Sequence, residues 1–168
     1  QGTAPDGTIY RSGTTTFRTP ALAENAEANL ALLESGATVT DVSSNFGGAA
    51  NDEAWGANKA LDGNRATAWS SAGDGDDAYL EISLPQPAQL TAIEVWTRAM
   101  SDGTAITSSF TITTDTGETF GPFTLPDAEK AYRFEIETTA ATLRLDVEES
   151  AGGNTGLIEF AVYGNFFE

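Results

Sequence analysis

The sequence predicts an all-β fold, an eight-stranded jelly-roll β-sandwich with a short N-terminal helical extension. Three observations predict it. After residue 37 the chain breaks into short apolar runs separated by clusters of Gly, Asp, Asn and Ser, the punctuation of a sandwich or barrel. Within those runs apolar and polar residues alternate, as on a strand whose successive side chains point to opposite faces. Helical spacing of apolar residues occurs once, before residue 37, and does not return.

Taken in order, residues 1–19 are rich in Gly, Thr and Ser with isolated apolar positions at Ile9, Tyr10 and Phe17, which suits a loop or one short edge strand. Residues 20–34 form the one expected helix, with Leu22, Ala26, Leu30 and Leu33 at helical spacing. Thr19 would cap it, Pro20 would open its first turn, and Gly36 lies just past its end, where a left-handed residue is favoured. Together residues 1–36 read as an extension and 37–168 as the sandwich domain. The expected strands are 37–43, 78–84, 89–98, 108–114, 120–125, 131–137, 142–148 and 157–164. Alternation is plainest in Leu90, Ala92 and Trp96 against Ile93 and Val95, and in Leu143, Leu145 and Val147 against Arg144, Asp146 and Glu148. Eight strands at this spacing make a jelly roll. No internal repeat or linker interrupts them.

Composition narrows the function. At 168 residues the chain fits one domain with a sizeable core. Twenty-five acidic residues against eight basic ones give a net charge of −17, with Lys59 and Lys130 the only lysines. Nucleic acids and anionic lipids are bound through clustered Lys and Arg, so both are poor partners for such a surface. No apolar run approaches a membrane span, and membrane insertion is not expected. Cysteine and histidine are both absent, which removes disulfides, thiolate metal sites, zinc chemistry and the commonest general base. Carboxylates, hydroxyls and carbonyls remain, and these suit a hard cation such as calcium. Adjacent acids such as Asp76 with Asp77, or Glu148 with Glu149, point to opposite faces of a strand and cannot flank one glycosidic bond, so catalysis is not expected. No charged stretch followed by an apolar one marks a targeting segment at the N-terminus; calcium-type chemistry and the abundance of Thr and Gly favour a secreted or extracellular, or periplasmic, location.

One motif stands out. Residues 55–71 read WGANKALDGNRATAWSS, a tight Asp-Gly-Asn turn with a hydroxyl three residues later and a tryptophan two after that. Asp62 supplies a carboxylate, Thr67 a hydroxyl, and the turn at Gly63 aims successive carbonyls at one point. An ordinary Asx-type turn also accounts for Asp-Gly-Asn on its own. A single loop rarely supplies the six to eight oxygens calcium takes, so a carboxylate from elsewhere is required.

The run from Lys59 to Trp69 resembles the calcium loop of discoidin-like domains, also called coagulation-factor V/VIII type C domains, a galactose-binding-like group that includes family 32 carbohydrate-binding modules. Residues 156–164, GLIEFAVYG, resemble that family's last strand, and Ser43-Ser44 its opening. The resemblance implies a structural calcium ion held by the carbonyls of Lys59, Asn64 and Ile158, the carboxylates of Asp62 and Glu159, and the hydroxyl and carbonyl of Thr67. It also implies that the ion closes a long loop, and that Leu61 and Trp69 are core residues beneath it. Ligands in this family bind in loops at one end of the sandwich. A sugar needs planar apolar faces and fixed donors and acceptors, and Phe46, Trp55, Trp96, Arg98 and Asn154 meet that description. Galactose-binding relatives commonly use a histidine that this chain lacks, so galactose itself is not implied. The expected function is a non-catalytic, calcium-stabilised carbohydrate-binding or adhesion module. The alternative is a domain that binds a polypeptide partner.

Overall fold

Alternating burial along residues 79–97 and 132–150 builds two long strands where the sequence predicts four. The structure, a computed structural model, describes residues 27–168 together with the backbone of Gly2–Thr3 and Ile9–Tyr10. Those last two pairs are β1 (Gly2–Thr3) and β2 (Ile9–Tyr10), which pair antiparallel with each other. The remaining strands are β3 (Thr38–Val42), β4 (Tyr79–Thr97), β5 (Thr107–Thr114), β6 (Thr119–Thr124), β7 (Tyr132–Ser150) and β8 (Leu157–Phe166). They run antiparallel in the order β3-β4-β7-β5-β6, with β8 on the other half of β4.

The two 19-residue strands β4 and β7 pair with each other twice, from Tyr79↔Asp146 to Ser83↔Thr142 and again from Ala88↔Ala140 to Val95↔Tyr132. Between the two ladders lie Pro85, Gln86 and Pro87, all exposed. Proline has no N–H to give a ladder, so the pairing breaks there and the strands turn a corner from one layer of the sandwich to the other. β3 pairs the first half of β4, β5 pairs the second half of β7 with β6 beyond it, and β8 pairs the second half of β4. Eight expected strand segments therefore become six strands of a jelly-roll-like antiparallel sandwich.

One core fills the space between the layers: Leu80, Ile82, Leu143, Leu145, Phe110 and Ile112 from one side meet Leu90, Ile93, Val95, Phe160 and Val162 from the other. A register shift between Leu90 and Ala92 alters the expected alternation. Ala92 and Ile93 are both buried, after which Ile93, Val95 and Thr97 point inward and Glu94 and Trp96 outward.

The expected helix is corrected over the part that is described. Residues 20–26 lie outside the described residues. Over 27–34 the chain is not α-helical: Asn29 bridges to Tyr163, the Leu30 amide donates to the Val162 carbonyl at 2.7 Å, and only a single 3-10 turn, Leu33–Ser35, follows before Gly36 at φ 94°. The physical reason is tertiary. Asn29 Oδ1 accepts from the amides of Ala31 and Val162, each at 3.0 Å, and Leu30 and Ala31 are buried in the core, so pairing along β8 overrides a modest helical propensity.

Candidate functional site

The long connection from β3 to β4 folds as a chain of tight turns with no strand of its own. Three 3-10 turns, Phe46–Gly48, Ala57–Ala60 and Gly75–Asp77, punctuate it. Gly56 makes it possible, since a Cβ there would lie 2.3 Å from the carbonyl oxygens of both Ala50 and Asn51. Trp69 anchors the end of the connection. Its side chain is fully buried, its indole donates to the Ser44 carbonyl at 3.0 Å, and its backbone exchanges hydrogen bonds with Leu157 at the start of β8. Leu61 is fully buried beside it, as expected of both residues.

The turn 62–67 concentrates oxygen. Asp62 Oδ1 accepts from the Asn64 amide at 2.9 Å, and Asn64 Oδ1 accepts from the Ala66 amide at 3.0 Å. Thr67 Oγ1 then lies 3.0 Å from Asp62 Oδ1, 2.8 Å from Asp62 Oδ2 and 2.8 Å from the Asn64 carbonyl. A hydroxyl has one proton and can satisfy only one of those three acceptors at a time. Four oxygens thus crowd together with a single hydroxyl proton, while the Asn64 and Thr67 amides donate to two of them.

Glu159 completes the picture from β8. Both its carboxylate oxygens are buried without a hydrogen-bond partner among the described residues. Burial first, and then the Asp62 charge, push its carboxyl up to about 7; the Gly63 amide, which approaches outside hydrogen-bond geometry, and Arg65 offset this only in part. Lys59 lies in the turn Ala57–Ala60, and Ile158 directly precedes Glu159 on β8. Among the described residues no three Asp, Glu, His or Cys side chains cluster. Any cation here would therefore be held by two carboxylates with hydroxyl and carbonyl oxygens. An orphaned buried carboxylate and a proton-poor oxygen cluster fit a hard cation in kind.

Further along the same connection, the ligand candidates gather around Ser70. The Phe46 amide donates to the Ser70 carbonyl at 2.7 Å, and the Ser70 amide to the Trp55 carbonyl at 3.0 Å. Arg98 Nη1 donates to Ser70 Oγ at 3.1 Å and to the Asn154 carbonyl, while its guanidinium lies 5.2 Å from the centre of the Trp55 ring. Phe46, Trp55, Arg98 and Asn154 thus share one region. Phe46 and Trp55 remain 47% and 46% exposed, unusual for residues of their size. Trp55 also has φ 66°, a left-handed conformation that a bulky residue rarely holds without a reason.

Trp96 is not brought into this group. Its indole donates to the Ala128 carbonyl at 2.9 Å, and Arg65 lies over its ring at 5.6 Å. Two residues apart in the expected strand 89–98, Trp96 and Arg98 would share one face, but β4 ends at Thr97 and the chain turns where the Arg98 amide bonds the Gly156 carbonyl.

Two depressions share Trp55 in their walls. One, of about 350 Å³, is lined by Ala54, Trp55, Lys59 and 66–68; the other, of about 200 Å³, by Trp55, Arg65, Arg98, Ala99 and Ile158 with the same 66–68 segment. The Lys59 side chain, Arg65, Ser70 and the small residues Ala66 and Ala68 escaped sequence reasoning. Their position inside the 55–71 motif was the available signal.

Among the described residues no helix is long and apolar enough to cross a membrane. Solved structures similar to the chain share its sandwich. A variant of chitosan-binding module 1 from a chitosanase/glucanase of Paenibacillus sp. IK-5 is 26% identical, with a TM-score of 0.64 over 83% of this chain and 100% of the other. A family 32 module of Clostridium perfringens NanJ, solved with galactose, is 18% identical, with a TM-score of 0.65 over 82% and 99%. A Streptococcus pneumoniae fucose-binding module is 16% identical, with a TM-score of 0.62 over 84% and 99%. No curated protein sequence matches the chain. The family model of the F5/8 type C domain matches residues 38–160, from β3 to the first residues of β8 and including the oxygen-rich turn and Glu159, and the chain therefore belongs to the F5/8 type C domain family.

Proposed function

We propose that the chain is a non-catalytic carbohydrate-binding module whose binding loops are braced by calcium. The observation that carries the reading is Trp55, a half-exposed indole held in a left-handed conformation, flanked by Arg98 and opening on two depressions. A flat apolar face beside directed donors is what a sugar ring requires. Phe46 and Asn154 extend the same surface, and Trp96 stands outside it. That the similar solved structures are sugar-binding modules supports the reading.

For the metal, the ligand set is the carbonyls of Lys59, Asn64 and Ile158, Asp62 and Glu159 carboxylates, and Thr67. Calcium there would supply the positive charge that the crowded oxygens and the buried Glu159 lack. It would tie the turn to β8, and with it the adjoining 66–68 segment that floors both depressions. Its role is structural. A calcium-dependent module of this kind would work outside the cytoplasm, where calcium is abundant, and secretion is the location we infer.

A glycan array run with calcium and with chelator tests the function. Saturable binding to one sugar class, lost in Trp55→Ala, is the expected result. Silence across a broad array with the fold intact would refute the carbohydrate reading and direct the search to a protein partner.

A further inference from the structure

Half of the basic residues in 27–168 border the two depressions beside Trp55. Lys59 lines the larger one, and Arg65 and Arg98 line the smaller. In a chain with a net charge of −17 that concentration runs against composition. The other arginines of the described residues are paired: Arg133 with Glu27 and Glu135, and Arg144 with Asp146. Among the described residues Lys59, Arg65 and Arg98 make no ion pair at all.

The acids of the neighbourhood are occupied elsewhere. Glu53 turns back to accept from the Ala50 amide at 3.1 Å, and Asp74 accepts from the Ser44 hydroxyl at 2.6 Å. Asp62 is engaged by the Thr67 hydroxyl. Arg65 also borders a third depression with Glu94 and Glu159, yet reaches ion-pair distance of neither. Arg98 spends one nitrogen on Ser70 and Asn154, bonds that fix the direction of its guanidinium while Trp55 supports it from the side. A planar fork held this way presents its remaining donors as a pre-aligned pair, the geometry that suits a carboxylate or a sulfate.

We propose that the ligand of this site is an anionic sugar, a pyranose bearing a carboxylate or a sulfate ester, stacked on Trp55 and clamped by Arg98 with Arg65 and Lys59. This rests on the carbohydrate reading and names its substrate class. The overall negative charge does not oppose it at contact range, because at physiological ionic strength charges more than about 8 Å apart are largely screened. It separates this chain from its 26% identical relative, whose named ligand, chitosan, is a polyamine that three unpaired cations would repel.

The test is titration calorimetry on the whole chain with calcium present. The probes are an oligogalacturonate, its methyl ester, a sulfated galacto-oligosaccharide, a neutral galacto-oligosaccharide and a chito-oligosaccharide. The ester keeps the shape of the uronate and removes its charge. Acid binding at least tenfold tighter than the ester, or the sulfated sugar tighter than the neutral one, supports the proposal, and the two arms tell carboxylate from sulfate. The preference should shrink at least threefold in 1 M salt. Lys59→Gln and Arg65→Gln, whose side chains make no ion pair among the described residues, should reduce it while circular dichroism shows the fold intact. Equal affinity for acid and ester together with equal affinity for sulfated and neutral sugar, or preference for the chito-oligosaccharide, overturns the anionic proposal and leaves the carbohydrate reading standing. Failure of every probe, with a broad array also silent, overturns both.

Discussion

Replacing Glu159 by glutamine should have opposite effects with and without calcium. The carboxylate is buried, has no hydrogen-bond partner among the described residues, and faces the charge of Asp62. At pH 8 in chelator the native state must hold that charge in place. Glutamine removes the charge while keeping the shape and supplying two donors for the neighbouring oxygens, so the chelated variant should be more stable than wild type by about 1–2 kcal/mol. For a domain of this size that raises the melting temperature by roughly 2–8 °C. With calcium at a hundred times its dissociation constant, wild type gains about 2.7 kcal/mol, or roughly 5–11 °C. The variant, short of one charged ligand, should lose most of that gain. Differential scanning calorimetry of both proteins in calcium and in chelator therefore gives crossing orders of stability. A variant that melts below wild type in chelator, or that keeps the full calcium shift, would refute the assignment of Glu159 and the electrostatic argument behind it.

Three further outcomes follow from the same geometry. In chelator, wild type should become more stable as pH falls from 8 toward 5: the native carboxyl of Glu159 titrates near 7 and the unfolded one near its ordinary value of 4.5, so the native state binds the extra proton between them. The gain should be on the order of 1 kcal/mol, should be seen as a rising melting temperature, and should vanish in Glu159→Gln. Trp55→Gly should abolish sugar binding by calorimetry yet leave stability unchanged or raised by up to about 1 kcal/mol, because glycine adopts a positive φ without strain; a large loss of stability would mean that the indole is a packing residue. Gly156→Ala should cost about 1–3 kcal/mol in chemical denaturation, since its Cβ would lie 2.1 Å from the Trp69 carbonyl, and an alanine variant of wild-type stability would show that the contact between the connection and β8 is loose.

Much of the fold is legible in residue order because period-two burial is a local property. Leu143, Leu145 and Val147 are buried on β7 with Arg144 and Asp146 only half-buried between them, as their spacing requires. What alternation does not encode is where one strand ends. Residues 78–84 and 89–98 read as two strands because Pro85-Gln-Pro87 looks like a turn, whereas the backbone bends there and the same strand continues into the other layer. Residues 27–34 show the converse limit. Leu30 and Leu33 have helical spacing, but Asn29 finds its partners on β8, more than a hundred residues away, and no local pattern announces that.

The site divides along the same line. By itself the sequence determined the F5/8 type C resemblance, the oxygen-rich turn around Asp62 and Thr67, the absence of thiol and imidazole chemistry, and the candidate aromatics Phe46, Trp55 and Trp96, because each is a matter of residue type at short spacing. Only the tertiary structure decided that Phe46, Trp55, Arg98 and Asn154 meet around Ser70, that Trp96 turns instead to Ala128, and that Lys59, Arg65 and Arg98 have no carboxylate partner among the described residues. The reason is that pairing and exposure depend on what the rest of the chain brings alongside. In a chain so rich in acid, sequence offers every cation a partner, and only the packing of the loops against β8 withholds one.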